Sequence, residues 1–168
     1  MTDASGGIVI VGLGNVYRRD DGVGVDAATA LDRLGIPNVV VRTDIADPMS
    51  LLEAWTDAGL AVIIDAAIAN PSTPGRVRRC EWRDVPSALD GLSSHGMDVA
   101  RAHALGRALG RVPARLAVFT VDIEDAGHGT GLSPRVARAV PEVVRQVAAE
   151  IVRPVSRVDP NDLSAGHS

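Results

Sequence analysis

The run Leu60-Ala-Val-Ile-Ile64 contains no polar residue and then stops at Asp65. A strand with one wet face alternates apolar and polar side chains, whereas an unbroken apolar run is expected of a strand buried on both faces. Such a strand sits inside a parallel sheet with helices above and below it. Two more runs fit the same sheet, Ile8-Val-Ile-Val11 and Val39-Val-Val41, and Arg115-Leu-Ala-Val-Phe-Thr-Val121 supplies another strand. The expected fold is a single three-layer α/β/α domain with a mostly parallel, five-stranded twisted sheet and helices on both faces.

The segments between the strands read as helices and turns. A strand near 7–12 leads to a helix near 22–34, with Val25, Ala28, Thr29 and Leu31 on one face and Gly35 as its stop. A strand near 38–44 follows. Asp47-Pro48 then supplies an N-cap and a first-turn proline for a helix carrying Leu51, Leu52 and Trp55. The cluster Asn70 to Gly75 turns the chain into an Arg-rich alternating strand, residues 84–96 read as a loop, and a helix near 98–110 closes at Gly110. After the 115–121 strand and a glycine-rich loop, Ser133-Pro134 opens a last helix. That helix repeats Val136, Val140, Val143, Val144, Val147 and Ile151 at helical spacing. Residues 1–152 form the expected domain; residues 153–168, polar and interrupted by Pro154 and Pro160, read as a disordered tail.

Composition removes several function classes. At 168 residues the chain suits one domain. All 17 basic residues are Arg, against 21 acids, for a formal net charge of −4. That balance offers no basic field for nucleic acid or an anionic membrane. The absence of lysine excludes a P-loop, Schiff-base chemistry and a Ser-Lys dyad. Cys80 is the single cysteine, so no disulfide and no Cys-rich metal site is expected, and the thiol is expected to be buried in its strand. No basic segment precedes the first apolar run, and no apolar stretch approaches the roughly 20 residues that span a bilayer. The expected location is the cytoplasm, with no membrane insertion.

Directly after the first strand comes Gly12-Leu-Gly-Asn-Val-Tyr-Arg-Arg-Asp-Asp-Gly-Val-Gly24. Its glycines invite a dinucleotide reading, but that fingerprint requires a third glycine where Tyr17 stands. Asp20 and Asp21 would also repel a pyrophosphate at the helix start. The pair favours a cation instead. Carboxyl ends of parallel strands share one edge, where ligands collect. Asp20 and Asp21 follow the first strand, Asp65 ends the third, and His95 follows the fourth. Two carboxylates and an imidazole make a mixed O/N ligand set with coordination positions left open, suited to Zn, Ni, Mn or Co. Each residue has an ordinary use as well. Asp20 is placed to N-cap the following helix, Asp21 gains from the helix dipole, and His95 fits a solvated loop. Asp65 is harder to explain so, because a carboxylate closing an apolar run is costly unless paired or coordinating. His128, between glycines near the same edge, is a lesser candidate; His103 reads as structural.

Together these segments resemble the hydrogenase maturation endopeptidases, the accessory proteases of nickel-iron hydrogenases. The likeness runs through Gly12-Leu-Gly-Asn15 with Asp20-Asp-Gly-Val-Gly24, Ile63-Ile-Asp65-Ala66, Ser94-His95 ahead of a helix, and Gly131-Leu-Ser-Pro134. It covers about residues 7–152. The resemblance implies a metal-reading and catalytic triad of Asp21, Asp65 and His95. It also implies a substrate, the nickel-iron hydrogenase large-subunit precursor, whose C-terminal extension is removed after nickel insertion. Nickel would arrive with the precursor, and other divalent metals such as zinc could occupy the site. The alternative is a non-catalytic metal- or partner-binding accessory module of the same fold.

Overall fold

The computed structural model describes residues 6–69, 71–81 and 96–153. The expected 84–96 loop up to His95 and all of the expected tail beyond Arg153 lie outside the described residues. Five strands form one sheet in the order β2-β1-β3-β5-β4. They are β1 (Ile8–Gly12), β2 (Val39–Arg42), β3 (Leu60–Ala67), β4 (Val77–Glu81) and β5 (Arg115–Asp122). The helices are α1 (Val23–Arg33), α2 (Pro48–Trp55), α3 (Gly96–Leu109) and α4 (Pro134–Val152).

Burial follows the apolar runs. Every residue of β3 is buried, as the unbroken run required, and β5 is buried from Leu116 onward. Side-chain alternation then divides the core in two. Ile10, Val62, Ile64, Ala117, Phe119 and Val121 pack against α1 and α4. Val9, Val11, Ala61, Ile63, Leu116 and Val118 pack with Leu51, Leu52 and Trp55 of α2 and Val99 and Ala102 of α3. On α1 the fully buried stripe is Val23, Ala27, Ala28 and Leu31, while Val25 and Thr29 are only half-buried. The expected face was therefore rotated, because the small residues at 24, 27 and 28 let this helix lie close on the sheet.

Two strand expectations change. β3 does not stop at Asp65 but continues to Ala67, pairing Asp65 with Thr120 and Ala67 with Asp122 of β5. Asp65 thus sits inside the ladder, two residues before β3 ends. The second change is in β4, which pairs with β5 antiparallel. Its carboxyl end lies at the opposite edge from those of β1, β3 and β5, with Glu81 opposite Ala117. Following the fourth strand therefore does not by itself bring His95 to the ligand edge. Helix α3 packs beside α2. Near its far end, Gly106 sits against Leu52 and accepts from Arg111 N, close to where β5 begins. Fourteen residues at about 1.5 Å each carry α3 back roughly 20 Å, so its first residue, Gly96, stands at the carboxyl edge. Cys80 is half-buried beside the second core cluster rather than fully buried, since β4 is an edge strand. Among the described residues, no helix is long and apolar enough to cross a membrane.

Candidate active site

The turn after β1 is built by glycines and closed by side chains. Gly14 has φ of +128°, and a Cβ there would lie 1.9 Å from the Asp21 carbonyl oxygen. Any other residue would push the Asp21 segment away. At Gly24 a Cβ would lie 2.3 Å from the Ile64 carbonyl oxygen, which already accepts from Leu13 N at 2.9 Å. The start of α1 therefore rests directly on the backbone of β3, one residue before Asp65. The close helix-to-strand contact that a dinucleotide fingerprint obtains from its third glycine is made here by Gly24.

A short 3-10 turn, Arg19–Gly22, holds both carboxylates, and both are buried. Asp21 Oδ2 accepts from Asn15 N at 2.9 Å. Asp20 does not N-cap α1; the cap position is Gly22, and neither it nor Arg18 at the start of the 3-10 turn makes a side-chain cap bond. Asp20 instead reaches across to the loop between β5 and α4. Its Oδ2 accepts from Glu124 N (3.3 Å), Asp125 N (3.1 Å) and Ser133 Oγ (2.9 Å), and its Oδ1 from Ser133 N (2.6 Å). Ser133 does precede α4, but its hydroxyl is given to Asp20 instead of capping the helix. The same loop is tied to the turn a second time, through Asp20 N to Asp125 O and Arg19 N to Gly129 O.

Asp65 is 1% exposed, and its Oδ1 accepts from Ala66 N at 2.8 Å. It shares a sheet face with Ile63 and so looks toward the α2/α3 layer, the side on which α3 begins. Asp21 follows β1 and Asp65 lies near the end of β3, and these strands are neighbours. The two carboxylates therefore occupy one edge. His95, one residue before α3, lies outside the described residues. Among the described residues no three of His, Cys, Asp or Glu gather closely enough to hold a metal ion. A three-donor set at this edge needs a further side chain from outside them.

His128 is exposed in the loop that Asp20 holds, where its carbonyl accepts from Arg19 Nε. In the same loop Asp125 is held below the usual carboxylate range, first by the Gly127 N–H and then by Arg19 alongside. His103 is half-buried in α3, and burial, with Arg107 nearby, pushes its imidazole below its ordinary value. Asp122 was not singled out by its sequence. It is fully buried at the end of β5, two residues from the partner of Asp65, and is paired with Arg78 of β4 at 3.1 Å. Its Oδ1 and Arg78 Nε are buried without hydrogen-bond partners. The signal was present: Asp122 closes the apolar run of β5 much as Asp65 closes that of β3.

Comparison with known proteins agrees with this fold. Residues 43–150 match the family model of the hydrogenase maturation proteases. The chain belongs to that family. It is 26% identical over 147 residues to the hydrogenase 2 maturation protease of Escherichia coli K12, covering 86% of this chain and 90% of that one. The solved [NiFe] hydrogenase maturation protease HybD of Thermococcus kodakarensis superposes with a TM-score of 0.70. It is 26% identical and covers 88% of this chain and 99% of its own. The fold also matches the hydrogenase maturating endopeptidase HybD of E. coli, with a TM-score of 0.78 at 24% identity, over 86% and 91% of the two chains. Membership makes this chain a maturation peptidase by family.

Proposed function

We propose that this maturation protease removes the C-terminal extension of a nickel-iron hydrogenase large-subunit precursor once nickel has been inserted. In this reading Asp21, Asp65 and His95 engage the metal that the precursor carries. One observation carries it: two buried carboxylates lie at the carboxyl ends of adjacent parallel strands, with a helix preceded in sequence by His95 starting at the same edge. Carboxylate oxygens and an imidazole nitrogen suit nickel, and zinc or another divalent ion would fit the same donors. When bound, the metal supplies Lewis-acid polarisation of a peptide carbonyl or a water. The chain's own work is to fix that centre beside the scissile bond and to take a proton from the attacking water, a task for Asp21 or Asp65. Cleavage then waits for nickel because docking needs the metal.

The test is to incubate the protein with nickel-loaded and nickel-free precursor and to measure loss of the C-terminal peptide by mass spectrometry. Wild type should cleave only the loaded form, and Asp65→Asn should slow cleavage by at least about a hundredfold. Equal cleavage by Asp65→Asn overturns the site. Binding of precursor without cleavage by wild type points to the non-catalytic accessory module.

A further inference from the structure

Tyr17 is the residue that breaks the nucleotide fingerprint, and the site described above makes no use of it. Its exposure stands out. The other aromatic residues among those described, Trp55 and Phe119, are at most 1% exposed, while Tyr17 is 70% exposed. It is not a loose loop tip. Tyr17 N donates to Asn15 Oδ1 at 2.9 Å, and Tyr17 O accepts from Gly129 N at 3.0 Å. Its neighbours are held too, with Arg18 N on Asn15 O and Arg19 N on Gly129 O. Asn15 is also the residue whose N–H bonds Asp21 Oδ2. The backbone under Tyr17 is therefore linked to the Asp21 carboxylate through one residue.

A rigid backbone with an exposed aromatic ring is costly in water and favourable for binding. A tyrosine so held has only two side-chain torsions to lose on contact. Tyr is also among the residues that dominate protein interfaces when ringed by polar neighbours; here Arg18 and Arg19 follow it in the chain. Just after β3, Ile68 stands 60% exposed three residues past Asp65. Each carboxylate thus has a large exposed apolar side chain within four residues of it in sequence.

We propose that Tyr17 is a substrate-contacting specificity residue, its ring receiving an apolar side chain of the precursor polypeptide next to the scissile bond. The inference rests on the site being the place where a precursor polypeptide is engaged. Tyr17 shares with Asp21 the turn that follows β1, so a chain engaged at Asp21 meets that turn.

The experiment measures KM and kcat for the nickel-loaded precursor, together with its equilibrium binding by interferometry, for wild type, Tyr17→Ala, Tyr17→Phe and Leu34→Ala. Leu34 is an exposed apolar residue at the far end of α1 and serves as control. Tyr17→Ala should raise KM and weaken binding about thirtyfold, the effect of losing an interface hot spot, with kcat within about twofold. Tyr17→Phe should stay within about threefold, and Leu34→Ala should match wild type. Because Tyr17 is exposed, all variants should melt like wild type. Cleavage that is insensitive to Tyr17→Ala overturns the inference and leaves the peptidase reading standing. Tyr17-dependent binding without cleavage does the reverse. If wild type does not bind the precursor, both are wrong.

Discussion

Asp20 offers a sharp test of how the site is held. Asp20→Ala removes the acceptor for three backbone N–H groups and one hydroxyl, all from residues more than 100 positions away. A net hydrogen bond contributes about 1 kcal/mol, and more when the acceptor is ionised. Four would sum to roughly 4–6 kcal/mol, but water can reach Glu124 and Asp125 once the carboxylate is gone, which brings the expected loss to about 3 kcal/mol. With a urea slope of about 2 kcal/mol/M, the unfolding midpoint should fall by about 1.5 M. The melting temperature should fall by about 6–12 °C. Asp20→Asn is the more discriminating variant. Three donors converge on Oδ2 and one on Oδ1, so whichever position takes the amide nitrogen meets a donor. It should lose about half as much as Ala. Amide hydrogen exchange gives a local readout: Asp125 and Ser133 should exchange faster in both variants. If Asp20→Ala unfolds within about 0.5 kcal/mol of wild type and those two amides keep their protection, Asp20 does not fasten this loop.

Other consequences follow from the same contacts. Gly24→Ala forces a methyl group onto the Ile64 carbonyl, so it should cost about 2 kcal/mol in urea unfolding and reduce precursor cleavage by moving α1 off the end of β3. Glu150 is buried and receives Arg79 at 2.8 Å and Arg115 at 2.9 Å; Glu150→Ala leaves two guanidinium groups without it and should cost about 3 kcal/mol, read by the same unfolding curves. The hydrogen bond from Arg79, then the charges of Arg79, Arg115 and Arg153, hold the Glu150 carboxyl below its ordinary value. Its contribution is therefore complete above the unfolded-state pKa of about 4.5 and is lost as pH falls through the lower folded value. Wild type should accordingly be more stable to urea than Glu150→Ala near neutral pH, and the difference should shrink as pH falls.

Much of the fold was legible because apolar runs report burial directly. Leu60–Ile64 announced a central strand, Asp47-Pro48 announced the start of α2, and the side chain of Asp47 does accept from Ser50 N. Part of the site was legible for the same reason: a carboxylate ending an apolar run, as Asp65 does, demands an explanation. The same rule applied to Asp122 would have found it. The direction of β4 was not legible, since an edge strand's sequence is alike whether it runs parallel or antiparallel. Nor was the job of Asp20. Its position beside a helix start fits a cap, and local spacing carries no information about a loop 113 residues away.

The pattern of apolar runs alone told which segments are strands, that the sheet is covered on both faces, and that Asp21 and Asp65 belong to strand ends that attract ligands. Periodicity and polarity are local properties, and burial is written in them. Only the tertiary structure decided which strands are neighbours, that Gly24 lets α1 rest on β3, and that Asp20 binds the β5–α4 loop. Only it showed the 70% exposure of Tyr17 on a fixed backbone linked to Asp21. Those facts depend on contacts between distant residues, and hydrogen bonds of that kind leave no period in the chain.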